Sequence, residues 1–288
     1  MDIKERMNYL GGSDCASALG LSRWKTTISL WAEKTGQIQP EDISEKISVK
    51  LGVKLEDTVA EMFTEKTGKK VRRVNKTLIH PKYPFICANI DREVVGEDAI
   101  FEAKTTSAYR AKEWAGEEIP QEFILQCMHY LAVTGEKKAY LAVLIGNQDF
   151  KIKEIERDEA MINEIISKEV HFWNEFVLKK SMPGIISASD SDVLLKLFPS
   201  ALEGKEVMLP VSVENVCEEL DALKRVRKST DEEIKKKENE LKSLVKENEV
   251  GIAGEYKIKW ANIHKESYTV PAKDYRQLFI KKIEKEVD

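Results

Sequence analysis

The 288 residues carry 46 lysines and arginines against 50 aspartates and glutamates, a formal net charge of −4, and 42 % of them are hydrophobic. That is enough for one large domain or a domain with an appendage, and it lacks the basic excess usual in dedicated nucleic-acid binders. Phosphate affinity depends on where Lys and Arg lie, so the balance by itself leaves nucleic acid open.

No apolar run reaches the length of about eighteen residues that a membrane span needs, and "MDIKERMNYLGG" lacks a signal peptide's apolar stretch. Cys15, Cys87, Cys127 and Cys217 are scattered without a CxxC pair. Neither a disulfide framework nor a zinc site is indicated, and a reducing cytoplasm is the expected compartment.

From the N-terminus, Ser13 follows two glycines and precedes "DCASALG", which predicts an N-cap and a short helix stopped by Gly20. "TTISLWAEKTGQ" predicts a second helix with Ile28, Trp31 and Ala32 on one face. Residues 44–68 place Leu51, Leu55, Val59, Met62 and Phe63 at helical spacing.

The period then changes. "KKVRRVNKTLIH", "FICANIDREVV" and "AIFEAKTT" are short β-branched runs broken by Pro81, Pro84 and Gly96, which predicts an antiparallel meander. "PQEFILQCMHYLAVTG" returns to helix between Pro120 and Gly135. Residues 138–156 supply two more strands, and 157–180 a long amphipathic helix. Helices alternating with strands around one mixed sheet make residues 1–183 an α/β (α+β) domain. Residues 184–288 read as an extension holding a charge-dense helix, a hairpin within 254–270 and a last helix over 272–286.

Within the meander, Asp91 ends one apolar run and Glu102–Ala103–Lys104 lies in the next. Eleven positions apart across the turn "VGED", the two acids meet at one edge of adjacent antiparallel strands. Two carboxylates and the Ala103 carbonyl offer hard oxygens suited to Mg²⁺ or Mn²⁺. Lys104 shares the face of Glu102, because side chains alternate along a strand. Its ammonium is placed to orient an attacking water. The competing reading is a surface Asp91–Lys104 salt bridge, and these three residues leave both open. Glu-x-Lys also occurs elsewhere, at Glu136, Glu203, Glu240 and Glu255 among others, but there it sits at turns, in the charged helix or without an upstream Asp. Glu56, on the helix before the sheet, offers a third carboxylate. Gln126 and Tyr130, spaced i and i+4, share a helix face.

This set, Asp91 with Glu102–Ala103–Lys104, Glu56 upstream and Gln126 and Tyr130 downstream, resembles the PD-(D/E)XK nuclease core. It is most similar to the YqaJ-type viral recombinase branch, the phage lambda exonuclease-like alkaline exonucleases. The more specific signature is "LGGSDCASALGLSRWKTTISLWAEKTG". The resemblance spans about residues 8–180. One departure is "NID" where the family has a proline before the aspartate.

The resemblance implies a restriction-endonuclease-like fold and a Mg²⁺- or Mn²⁺-dependent 5′–3′ exonuclease on double-stranded DNA that leaves 3′ single-stranded tails, with two ions per site. It implies roles for Asp91, Glu102 and the Ala103 carbonyl as ligands, with Glu56 assisting the second ion. Lys104 positions the nucleophile, and Gln126 steadies the water or the scissile group. Ser13 is expected in a 5′-phosphate pocket, with Arg23, Trp24 and Lys25 on the DNA. Tyr130 is assigned to the DNA contacts, with helix packing as its alternative, and core packing is the alternative for Trp24. Partners implied are duplex DNA ends, copies of the chain in a trimeric or tetrameric ring, and a single-strand annealing protein, in the cytoplasm of a bacterium carrying a phage or prophage. An endonuclease or single-strand nuclease of the same fold, and a catalytically silent DNA-binding scaffold, are the rival expectations.

Overall fold

The computed structural model describes residues 3–184, 187–267, 269, 272 and 276–280. The chain divides into two compact units, Met1–Phe198 and Pro199–Asp288.

The first unit opens with α1 (Ile3–Arg6), α2 (Gly12–Ala18), α3 (Thr27–Lys34) and the long α4 (Ile47–Thr67). A glycine ends α4 because the chain must turn left-handed there: Gly68 has φ 73° and donates its N–H to the Thr64 carbonyl. The strands follow: β1 (Val71–Arg73), β2 (Leu78–Ile79), β3 (Cys87–Ala88), β4 (Arg92–Val94) and β5 (Ala99–Thr106). Next come α5 (Gln121–Thr134), β6 (Lys138–Ile145), β7 (Asp149–Glu156), α6 (Glu159–His171), a π-helical turn over Phe172–Val177 and α7 (Ser191–Leu197). α7 buries Val193 with Leu30 and Trp31 of α3 and Trp173. The first body therefore reaches Phe198, further than the boundary after 183 that composition suggests.

The main sheet runs β1-β4-β5-β6-β7. The β5–β6 pair is parallel, joined through α5, and the other pairs are antiparallel. The expected meander holds for β1, β4 and β5, while β2 and β3 form a separate two-stranded ladder.

Alternation along the strands sorts the two sheet faces. Ile100, Leu141 and Val143 pack with Leu125, Cys127, Met128 and Leu131 of α5. Phe101, Tyr140 and Ala142 pack with Val59 and Phe63 of α4. The result is a mixed sheet flanked by helices on both faces. Glu102 and Lys104, in step with Ile100, face α5.

The second unit holds α8 (Val213–Val245) and a hairpin of β8 (Val250–Ala253) and β9 (Tyr256–Lys259). The hairpin starts four residues before the "GEYKIKW" stretch, because the tight turn is Gly254–Glu255 rather than a later loop. Residues 276–280 carry no helix, and 273–275 and 281–286, the rest of the expected last helix beyond residue 272, lie outside the described residues. Among the described residues no helix is long and apolar enough to cross a membrane.

Candidate active site

The register Arg92↔Phe101 sets Asp91 opposite Glu102 one step further along the same antiparallel pair. Asp91 Oδ2 accepts the Ala103 N–H at 2.8 Å. Lys104 Nζ and Gln126 Nε2 both donate to Glu102 Oε1, at 2.7 and 2.9 Å. Oε2 of the same carboxylate is buried and has no hydrogen-bond partner. Lys104 pairs with Glu102, so the surface Asp91–Lys104 bridge is not what forms.

Three carboxylates are pushed toward their protonated forms. Burial drives Glu102 up to about 7, with Asp91 and Glu56 adding to the rise and Lys104 opposing it. Burial also raises Asp91, against the Ala103 N–H and the Lys104 charge. Glu56 is raised by burial and then by Asp91. Burial alone would lower the Lys104 ammonium, but the charge and hydrogen bond of Glu102 outweigh it and hold the group above its usual value. Lys104 also stands 5.6 Å above the Phe123 ring, a cation–π contact that keeps it in place.

Glu56 reaches this cluster under restraint from partners that sequence reasoning missed. Arg92 Nη2 lies 3.3 Å and Arg73 Nη2 3.5 Å from Glu56 Oε1, and both arginines also bond Asp57. The only local signal was Arg92 directly after Asp91, on the opposite side of its strand.

The chemistry of the donors fits a divalent cation. The residues offer carboxylate and backbone oxygens, and one carboxylate oxygen is buried without a proton donor. The three acids also resist ionisation because burial removes the water that would stabilise their charge, and a bound cation would offset that loss.

The residues expected to meet DNA divide. Ser13 is exposed in the first turn of α2, but it is not the N-cap; Gly11 is, and Asp14 Oδ2 reaches back to the Gly11 N–H at 3.3 Å. Trp24 is 69 % exposed, which removes core packing as its role. The Arg23 and Arg110 guanidiniums lie over its ring, at 5.5 and 5.1 Å from the centroid. Arg23 is paired with Glu113 and Glu122, and Lys25 with Glu33, so neither cation is free of acid partners. Tyr130 takes its packing alternative and not the DNA contact. It is buried to 5 % exposure, and its hydroxyl accepts from Gln126 Nε2 at 2.9 Å instead of facing a duplex. An apolar α2–α5 interface claims the ring.

A second buried polar group lies on the same helix. Cys15, His129 and Glu169 set three ligand-type atoms within 4.8 Å of one another. His129 Nδ1 sits 2.8 Å from Glu169 Oε1, and Nε2 donates to the Cys87 carbonyl at 2.8 Å. Burial would lower the imidazole, but the Glu169 charge and hydrogen bond prevail and raise it. Both ring nitrogens are thus engaged within the protein, and the cluster pins α2, α5 and α6 together.

Residues 3–137 match the YqaJ-like viral recombinase domain. The chain is 42 % identical over 259 residues to the uncharacterized protein YqaJ of Bacillus subtilis (strain 168), a span of 89 % of this chain and 81 % of that protein. An alkaline exonuclease from Laribacter hongkongensis, LHK-Exo, shares the fold with a TM-score of 0.52 at 18 % identity, over 62 % of this chain and 92 % of that one. LHK-Exo in complex with dAMP gives 0.54 at 21 % identity over the same shares.

Proposed function

The chain belongs to the YqaJ-like viral recombinase family, and from that premise we propose that it is a metal-dependent deoxyribonuclease. Its reaction is 5′–3′ hydrolysis of one strand from the ends of double-stranded DNA, leaving 3′ single-stranded tails for strand annealing. One observation carries the reading: a buried Glu102 whose Oε1 is held by Lys104 and Gln126 while Oε2 is left without a donor, beside Asp91. The fold shared with an alkaline exonuclease and the deoxynucleotide bound by that relative support the substrate class.

Asp91, Glu102 and the Ala103 carbonyl would hold Mg²⁺ or Mn²⁺, and Glu56 would assist with a second ion. Such ions supply an activated water and stabilise the leaving oxygen of a phosphodiester. The protein's own groups do the rest. Gln126 and Lys104 fix the Glu102 carboxylate from one side, so that its other oxygen is presented. The Lys104 ammonium, partly exposed at 22 %, offsets negative charge growing on the phosphate and orients the attacking water. Phe123 beneath it limits where the ammonium swings. Trp24, exposed beside two guanidiniums, offers a ring face to a base at the duplex end, and Ser13 offers a hydroxyl to the terminal phosphate. We extend the proposal to a closed ring of three or four copies around the duplex and to a single-strand annealing protein as the partner.

End-labelled linear duplexes with and without a 5′ phosphate, beside a closed circle, test this with Mg²⁺ present or chelated. The expected result is Mg²⁺-dependent release of nucleotides from the 5′-phosphorylated linear duplex and an intact circle. Cutting of the circle would assign an endonuclease. Release under chelation would remove the metal from the proposal.

A further inference from the structure

Gln126 Nε2 carries two protons, and the fold assigns both: one to Glu102 Oε1 and one to the Tyr130 hydroxyl, each at 2.9 Å. The torsion at the end of a glutamine side chain is broad and nearly two-fold. One hydrogen bond alone would leave the amide free to rock or to turn its carbonyl toward the Glu102 carboxylate. The Tyr130 oxygen, lying i+4 on α5, removes that freedom.

Tyr130 can take this position because α2 yields space. A Cβ on Gly12 would lie 2.4 Å from Tyr130 Cε1 and 2.8 Å from Cζ, closer than any real contact. The obstacle is a rigid ring in a buried interface, so the ring would have to move. One residue earlier on α5, His129 is fixed by Glu169 and the Cys87 carbonyl, which prevents α5 from rotating to compensate.

We propose that Tyr130 is a positioning residue: its hydroxyl locks the Gln126 amide onto Glu102, and Gly12 is the socket that admits its ring. The proposal rests on the nuclease reading above. It links the first turn of α2, where Ser13 sits, through Gly12, Tyr130 and Gln126 to the catalytic carboxylate. Tyr130 touches neither DNA nor the scissile phosphate.

The test is a double-substitution cycle on the full chain. Tyr130→Phe keeps the ring and removes only the hydroxyl; Gln126→Leu removes the amide it holds. Nucleotide release gives kcat and KM for duplex ends, and fluorescence anisotropy in Ca²⁺ gives DNA affinity without turnover. Tyr130→Phe is expected to lower kcat roughly tenfold, equal to the loss of one oriented hydrogen bond of about 1.4 kcal/mol. KM and the Ca²⁺ affinity should stay within twofold. In the Gln126→Leu background the same substitution should cost nothing further, because the group it acts through is gone. Gly12→Ala should lower kcat in the same way; if it fails to fold, Tyr130→Phe still decides.

Equal fold losses from Tyr130→Phe in both backgrounds would mean simple packing and overturn the proposal. A fall in DNA affinity with kcat unchanged would return Tyr130 to the DNA contacts and overturn it as well. Both results leave the nuclease reading standing. A wild-type chain that releases nothing from any form of DNA removes that reading, and this inference with it.

Discussion

The two units of this chain use charge in opposite ways. In Met1–Phe198 the decisive charges are buried: Arg92, Glu102 and Glu169 are each under 10 % exposed, and each meets a specific partner from another element, Asp57, Gln126 and His129 respectively. In Pro199–Asp288 the ion pairs of α8 are exposed i,i+3 and i,i+4 contacts along one helix, such as Lys236–Glu233 and Lys242–Glu238. Exposed pairs of that kind contribute roughly 0–1 kcal/mol. Charge density therefore says little about where chemistry resides. Burial of a charge with too few partners says much more, because desolvation must be offset by something the site is built to hold.

The comparison breaks first if the buried acids prove dispensable. Lys104→Ala or Asp91→Asn should cut Mg²⁺-dependent nucleotide release by about three orders of magnitude, the range expected when a positioned charge or a metal ligand is lost. The melting temperature should stay near wild type. Release within tenfold of wild type would show that the buried cluster is not the catalytic centre.

The largest stability effect should lie in the same unit, on the far face of the sheet. Phe63 is fully buried and packs on Phe101 and Tyr140, with ring centroids 4.9 and 5.4 Å away. Phe63→Ala should cost about 3–5 kcal/mol in urea unfolding. A cost below about 1 kcal/mol would mean that α4 does not hold the sheet.

How much of this was legible in the sequence follows from how local each determinant is. Asp91 and Glu102 were readable because a short turn and two-residue alternation fix which residues face each other across a hairpin. Lys104 followed from the same alternation, and Gln126 with Tyr130 from the helical repeat. The arginine clamp on Glu56 was not legible, since Arg73 and Arg92 arrive from strands whose pairing, β1 on β4, is a tertiary fact. Nor was the burial of Tyr130: helical spacing put it beside Gln126, but only the α2–α5 packing over Gly12 decides that the ring turns inward. At Trp24 the sequence left DNA contact and core packing both open, and only the structure decides that the ring stays at the surface beside the Arg23 and Arg110 guanidiniums.

A smaller effect sharpens the electrostatic half of the comparison. In metal-free protein Glu102 has a folded-state pKa of about 7, raised above its unfolded value by burial. An acid raised in this way binds its proton more tightly in the folded state, so its ionisation costs stability above pH 7 and costs nothing once pH falls below the unfolded value. Glu102→Gln removes that cost but also the partner of Lys104, so the chelated protein should be more stable at pH 8 by whatever part of the relief exceeds the lost pairing. The gain should shrink steadily between pH 7 and about pH 4.5. Saturating Mg²⁺ should reverse the sign in favour of the wild type, since a bound ion stabilises only the chain that can hold it. A gain independent of pH would assign the effect to packing instead of charge.

The smallest effect is expected in α8. Leu223 is 66 % exposed on this 33-residue helix, and Val245 is its sole buried residue among those described. Leu223→Ala removes little buried surface and puts the best helix former in its place, so stability should change by less than about 0.5 kcal/mol. Set against Phe63→Ala, that is a contrast of several kcal/mol between two apolar side chains on two long helices. If Leu223→Ala instead costs 2 kcal/mol or more, the helix face is covered in solution and the contrast between the units fails. Repeating the unfolding at tenfold lower protein concentration then identifies the cover. A cost that falls on dilution belongs to contact between copies of the chain, because only association depends on concentration. A cost that does not fall belongs to the chain itself.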